Sequence, residues 1–406
     1  MKYCVLIIDG GSGWPMADRG GRTCLELAHT PHLDAMAKSG VVGLVRNVPQ
    51  GAEASSACAC MSVLGYDPRV HYRGRSAVEA EGMRIPMTEG DVVFRCNLVT
   101  VRRGKMWSYS CGLISTGEAR LLIDSLNGAL GSDNVQFFPG VSYRHICRIK
   151  GREDALMARC TPPHDIPNKA ISEFLPHGPG SDLLRDLMQG SEHVLRSHPV
   201  NIERTTTGEL PASMIWLFWG SARLPAMPSF KEAHGLEAAM TSGVDVMRGL
   251  AHMIGMQVLD IPGVTGGPDN DYASQAIGAL EALENHDMVI THIEATDDAA
   301  HAGRADEKIE AIEAVDREIV GRLLARNNGD LRVLVLPDHA TPVEVQTHVA
   351  DPVPFVLWGR GFSADSGHRA RRFTEAEATG TGVFIGEGHG IMSRLVSEGW
   401  DLTIPA

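Results

Sequence analysis

Met1-Lys2-Tyr3-Cys4-Val5-Leu6-Ile7-Ile8-Asp9-Gly10-Gly11-Ser12-Gly13 opens the chain. Tyr3 to Ile8 is an unbroken apolar run with no polar alternation, and glycines follow it. A short run of this kind reads as a strand buried on both faces, the pattern of a parallel sheet. Asp9 then stands at the carboxyl end of a core strand, where open α/β sheets gather their ligands. An Asp there serves equally well as a turn or helix cap, so its meaning depends on partners elsewhere in the chain.

Working outward, a helix is predicted over Thr30 to Ser39 and a strand over Val41 to Val45. The same alternation returns late. Asp287 to Ile293 reads as a strand, Lys308 to Ala325 as a helix, Leu331 to Leu336 and Val353 to Trp358 as strands, and Ile391 to Glu398 as a closing helix. Strands alternating with helices predict an α/β fold with a mostly parallel sheet. The middle differs. Short strand-like runs at Val92 to Val101, Lys105 to Ser110, Val135 to Phe138 and Ser142 to Lys150 surround one helix at Glu118 to Leu130. This predicts an inserted α+β module over 84–175, leaving 1–83 and 176–406 as the core domain. The Pro- and Gly-rich stretch Cys160 to Gly180 reads as the linker returning to that core.

The bulk composition narrows the function. The chain has 406 residues, 43% hydrophobic and 21% charged, with a formal net charge of -13. Such an acidic balance argues against nucleic acid or an anionic membrane as the main partner. An acidic protein with an anionic substrate must concentrate positive charge locally, and bound metal ions do this. The opening apolar run is too short for a signal peptide or a membrane span. The eight cysteines include no CxxC pair, so a reducing cytoplasm is the expected setting. A homo-oligomer stays open.

The residue types that carry chemistry sit at strand ends. Asp297 and His301 are four apart, just after Ile293, and on a helical turn would share one face. Asp338-His339 follows the strand ending at Leu336, and His348 precedes the strand beginning at Val353. Each alone reads equally as a cap or a polar turn. Together with Asp9 they offer a mixed oxygen and nitrogen ligand set, suited to manganese, zinc or magnesium and lacking the thiolates of a softer site.

Several runs resemble the archaeal type of the cofactor-independent phosphoglycerate mutases, members of the alkaline phosphatase superfamily. They are Leu6-Ile7-Ile8-Asp9-Gly10, Thr30-Pro31-His32-Leu33-Asp34, Ser62-Val63-Leu64-Gly65-Tyr66-Asp67-Pro68 and Tyr72-Arg73-Gly74-Arg75. Thr296-Asp297-Asp298-Ala299-Ala300-His301, Pro337-Asp338-His339-Ala340-Thr341-Pro342 and Asp351-Pro352-Val353-Pro354 complete the series. The resemblance implies an alkaline-phosphatase-like core with an inserted cap facing the metal centre. It implies two divalent ions, manganese first, with zinc or magnesium as alternatives. One would be held by Asp9, Asp338, His339 and a serine nucleophile, the other by Asp297, His301 and His348. Counting back from Ser62 along the family motif places that nucleophile at Ser56, with Ser55 one residue away.

The resemblance also implies a small phosphorylated metabolite as substrate and interconversion of 2- and 3-phosphoglycerate through a phosphoserine. Arg73 and Arg75 become candidate phosphate clamps, because guanidinium meets phosphate bidentately. Arg95, Arg144 and His145 are candidate substrate contacts in the cap, and His389 in Gly388-His389-Gly390 a candidate support behind the ligands. Ala57 stands where relatives carry Asp. Phe94-Arg95-Cys96-Asn97, Pro139-Gly140-Val141-Ser142-Tyr143-Arg144-His145 and His292-Ile293-Glu294-Ala295 resemble a bacterial branch whose members are proposed homoserine kinases. A kinase-like phosphotransferase, a phosphatase, or a non-catalytic binding protein that kept the fold are therefore the other readings.

Overall fold

The computed structural model describes residues 1–327, 329–363 and 369–397. Its strands are β1 (Lys2–Ile8), β2 (Val41–Val45), β3 (Val92–Arg102), β4 (Lys105–Ser108), β5 (Val135–Phe138), β6 (Arg144–Ile149) and β7 (Met214–Ala222). They continue as β8 (Ala238–Thr241), β9 (Gln257–Val258), β10 (Met288–Ile293), β11 (Leu331–Leu336), β12 (Val353–Gly359) and β13 (Phe384–Ile385). The fold is mixed α/β. The chain divides into two compact units, Met1–Tyr72 with Ala226–Ala406, and Arg73–Pro225.

The first unit is built on an eight-stranded sheet in the order β13-β2-β12-β11-β1-β10-β8-β9. β1 lies between β10 and β11 and is parallel to both. All residues of β10 and β11 are buried, as is β1 after Lys2, which explains why these strands read as continuous apolar runs. β12 departs from the parallel rule and runs antiparallel to both β11 and β2. The register sets Ile8 beside Ile293 and Ile7 beside Leu336, so Asp9, Glu294 and Pro337-Asp338 leave the sheet at one level.

The helix predicted over Lys308 to Ala325 begins earlier, at Ala305, and has a π-helical turn at Val315–Val320 between α-helical halves. That turn carries buried Asp316, whose carboxylate accepts the His32 and Leu33 amides at 3.2 and 2.7 Å. It thereby caps the helix Pro31–Ser39, whose own Thr30 makes no side-chain cap. The closing helix runs Ile391–Val396, and the predicted end at Glu398 lies outside the described residues.

The second unit holds a five-stranded antiparallel sheet in which β3 pairs with β4, β6 and β7, and β5 pairs with β6. It is wider than the 84–175 stretch expected from sequence. At its start, the helix Arg75–Gly82 packs Ala77 and Ala80 against Val93 and Ile146. At its end, β7 covers nearly the whole length of β3. The stretch Cys160 to Gly180 is therefore no return linker. It winds through short 3-10 turns into the helix Ser181–Arg196, which buries Leu184, Leu187, Met188 and Leu195 in this unit's own core.

Candidate metal centre

Among the described residues, three groups of side chains bring ligand-type atoms within 4.8 Å of one another: Asp297 with His301 and His348, Asp9 with Asp338 and His339, and Asp9 with His292 and Glu294. All belong to the first unit. They come from the ends of β1, β10 and β11 and from the loop before β12.

In the first group, Asp297 and His301 occupy one face of the short helix Ala295–His301. His301 Nε2 lies 3.0 Å and His348 Nε2 3.4 Å from Asp297 Oδ2. The two imidazoles are turned by their other nitrogens. His301 Nδ1 donates to the Gln346 carbonyl at 2.8 Å, and His348 Nδ1 to the Ala54 carbonyl at 3.0 Å. A neutral imidazole carries one N–H, so both Nε2 atoms present lone pairs. They face each other across 2.9 Å beside a carboxylate. Two lone pairs at that separation repel unless a proton or cation lies among them, so the donor set fits a divalent ion. Burial opposes a charge on Asp297, but the hydrogen bonds from His301 and His348 outweigh it and hold its carboxyl well below the usual range. Burial likewise lowers His301, and the bond to Asp297 overrides it, raising the imidazole to about 9, so the proton among these lone pairs lies on His301 Nε2 and a bound metal ion would displace it.

In the second group, His339 Nε2 lies 3.4 Å from both Asp9 Oδ1 and Asp338 Oδ2. Asp338 is fixed through its other oxygen, which accepts the Gly10 and His339 amides at 3.1 and 2.8 Å. Asp9 Oδ1 is buried and has no hydrogen-bond partner. An orphaned carboxylate oxygen inside a protein is costly, and a cation would satisfy it. Burial raises the Asp9 carboxyl well above its ordinary range, and the nearby Asp338, Glu294 and Asp297 charges raise it further. Such crowding of acids also fits bound cations. Thr341 joins the two groups: its hydroxyl donates to Asp297 Oδ1 at 2.6 Å and lies 3.2 Å from His339 Nδ1.

Gly10 explains why glycine follows Asp9. Its φ is +58°, and a Cβ there would lie 2.3 Å from Asp297 Oδ1.

Ser56 is the first residue of the helix Ser56–Val63, and its Oγ lies 3.3 Å from His339 Nε2. Ser55 is the N-cap of that helix, its hydroxyl accepting the Cys58 amide at 3.4 Å and lying 3.4 Å from the Tyr72 hydroxyl. The two serines thus have separate places, and Ser56 is the one beside His339. Cys60, one turn on, lies 3.4 Å from Asp338 Oδ2 through its thiol.

Arg73, Arg75, Arg95, Arg144 and His145 all lie in the second unit. Arg75 and Arg95 both pair with the buried carboxylate of Glu79, Arg75 at 2.9 Å. Arg95 also reaches Asn97 Oδ1 at 3.3 Å. Arg75 lies over the Trp219 ring and Arg144 over Tyr143. Trp219 adopts φ +50°, a strained value for a bulky side chain, where β7 loses register against β3. His145 accepts the Gly140 amide at 3.0 Å, and burial, then Arg95 and Arg144, push its imidazole down to about 3. Arg73 is exposed. His389 lies 3.7 Å from Glu387 Oε2 and belongs to none of the three ligand groups.

His292 and Glu294 were not singled out as site residues from sequence. His292 Nε2 lies 2.9 Å from Asp9 Oδ2. Burial lowers this imidazole to about 4. The available signal was their position at the end of a strand beside β1, and an apolar run names no pairing partner.

The family model for 2,3-bisphosphoglycerate-independent phosphoglycerate mutase matches residues 37–201. A protein of that name from Methanothrix thermoacetophila is 45% identical over 98% of this chain and 100% of its own length. A probable one from Geobacter sulfurreducens is 43% identical over the same shares. Among solved structures, a Pyrococcus horikoshii protein superposes with a TM-score of 0.81 at 27% identity, covering 98% of this chain and 99% of that one. The cofactor-independent phosphoglycerate mutase of Thermoplasma acidophilum gives 0.63 at 26% identity over 97% and 99%. The chain belongs to the 2,3-bisphosphoglycerate-independent phosphoglycerate mutase family.

Proposed function

We propose that this protein interconverts 2- and 3-phosphoglycerate through a phosphoserine at Ser56, with two divalent ions in the first unit. The observation that carries the reading is the placement of Ser56 Oγ 3.3 Å from His339 Nε2, within a set of ligands already turned inward by their backbone contacts. Asp297, His301 and His348 would hold one ion, and Asp9, Asp338, His339 and Ser56 the other. Manganese suits this oxygen and nitrogen set, with zinc and magnesium as alternatives. When bound, such ions favour the serine alkoxide and neutralise charge on phosphoryl oxygens.

The chain's own residues supply the rest. Ser56 Oγ forms a bond to phosphorus as the bond from phosphorus to the glycerate oxygen breaks. The reverse step returns the phosphoryl group to the neighbouring glycerate hydroxyl. Ser56 heads a helix, and a helix N-terminus favours the negative charge of its phosphorylated form. Arg73, Arg75, Arg95, Arg144 and His145 are assigned to the substrate's carboxylate and phosphate. Two of these guanidinium groups, Arg75 and Arg95, pair with the single carboxylate of Glu79, which leaves positive charge for an anion.

The test is Ser56→Ala in manganese-loaded protein. Conversion of 3-phosphoglycerate should fall by roughly 10³-fold or more, because the nucleophile acts as a unit with its surroundings. A phosphopeptide trapped from the wild type should map to Ser56. Near-normal turnover by Ser56→Ala overturns the reading. Release of free phosphate without isomerisation points to a phosphatase, and a requirement for ATP with homoserine to a kinase.

A further inference from the structure

We propose that Lys308 is a positioning residue for the metal centre, acting through the Thr341 hydroxyl that joins Asp297 to His339. Its side chain is fully buried, and its ammonium donates to the Ser12 carbonyl at 3.0 Å and the Thr341 carbonyl at 2.9 Å. Taking an ammonium out of water is costly, and neutral carbonyls offset only part of that cost. An apolar side chain of that length would fill the space without it, so packing does not account for the charge.

The two carbonyls belong to segments that leave the sheet just after residues of ligand type. Ser12 follows Asp9 by three residues, and Thr341 follows His339 by two. The Ser12 carbonyl also accepts the Thr341 amide at 3.0 Å. Thr341 is therefore held at both its amide and its carbonyl, and the loop after β1 is tied to the loop after β11. Glu375 fixes the first loop as well, accepting the Ser12 hydroxyl at 2.9 Å and the Gly13 amide at 3.1 Å. Lys308 itself sits on the helix Ala305–Ala314, which follows the helix that carries Asp297. One ammonium thus links three segments from which the ligand groups come.

The group brought into place is the buried Thr341 hydroxyl. It donates to Asp297 Oδ1 at 2.6 Å, and a hydroxyl has one hydrogen to give. Toward His339 Nδ1, 3.2 Å away, it can only accept. His339 Nδ1 therefore carries the proton, and Nε2 keeps its lone pair on the side of Asp9, Asp338 and Ser56. Thr341 does for His339 what backbone carbonyls do for His301 and His348. A side chain this short goes where its backbone is held, and Lys308 holds it.

The inference rests on the two-ion reading only in taking Asp297 and His339 as ligands, and its test reads manganese affinity without substrate. Lys308→Met and Thr341→Val should each weaken manganese binding to the full-length protein in equilibrium dialysis by about 10–100-fold, the range for groups that orient a ligand. The double variant should bind no more weakly than the weaker single variant, because both changes break one chain of contacts. Thr341→Ser, which keeps the hydroxyl, should bind as the wild type does. Losses that multiply in the double variant, or wild-type affinity in either Lys308→Met or Thr341→Val, overturn the proposal. Should Lys308→Met not fold, Thr341→Val and Thr341→Ser decide, since both leave the ammonium and its two carbonyls in place. Weak binding in the first with wild-type binding in the second supports the proposal, and equal binding in both overturns it. A wild type that binds manganese without interconverting phosphoglycerates leaves Lys308 in this role and defeats the proposed reaction. Interconversion with unchanged affinity in the variants does the reverse.

Discussion

The metal centre of the first unit and the arginine cluster of the second are opposite solutions to one electrostatic problem. In the first, Asp9, Asp297, Asp338 and Glu294 crowd together with only neutral-capable imidazoles between them. In the second, Arg75 and Arg95 pair with the carboxylate of Glu79, and the Arg144 charge acts on Arg95. Each leaves one sign of charge in excess, and each is held rigid by contacts outside the charged set. Backbone carbonyls aim His301 and His348. Trp219 lies under the Arg75 guanidinium. In the proposed reading cations complete the acidic set and anions the basic set, so the two regions should respond differently to the loss of one member.

The comparison breaks most sharply at Asp297. Asp297→Asn keeps the shape but removes the charge that faces His301 and His348. Turnover should fall by about 10³-fold, the several kcal/mol expected of a lost metal ligand, and dialysis should show one manganese fewer per chain. Unchanged ion content would show that the first group is not a metal site.

The matching change in the basic set acts on folding. Glu79→Gln leaves Arg95 buried without its counter-charge, and should destabilise the protein by about 3–5 kcal/mol in chemical denaturation. Manganese stoichiometry should stay at the wild-type value. A lowered ion count would mean that the two regions are not independent.

A smaller effect follows from His145. Its folded pKa of about 3 lies below the unfolded value near 6.5. Between those values the unfolded chain binds more protons, so stability is fully present above about pH 6.5 and declines as the medium is acidified. The decline from this group reaches up to about 1.4 kcal/mol per pH unit. His145→Gln should flatten the stability profile between roughly pH 6.5 and 5. An unaltered slope would show that His145 is not held neutral by burial and its arginine neighbours.

The smallest effect belongs to Ser55. Ser55→Ala removes the N-cap of the nucleophile helix and should cost about 1 kcal/mol of stability, with phosphoryl transfer largely kept. A loss as severe as that of Ser56→Ala would move the nucleophile to Ser55.

Much of the first unit was readable in advance because its signals are local. Leu331–Leu336 was expected and observed with the same bounds, since an apolar run between polar turns has few other ways to be buried. Asp9, Asp297, Asp338, His301, His339 and His348 stood out because chemistry-bearing residues at the ends of such runs are visible without knowing the pairing. The acidic composition, the strand and helix order, and the family resemblance are properties of the chain alone.

The remainder depended on which distant segments meet. Met214–Ala222 makes the second unit wider than 84–175, because β7 joins β3 across more than a hundred residues and no residue in either strand names the other. The π turn that brings Asp316 to the amides of His32 and Leu33 is a tertiary fit rather than a helical preference. His292 looks like one more residue of an apolar strand until the parallel register of β1 and β10 sets it against Asp9. Local propensity and burial select the elements, whereas register and loop closure select their partners. The balance of charge between Asp9, His292 and Glu294 exists only after that second choice is made.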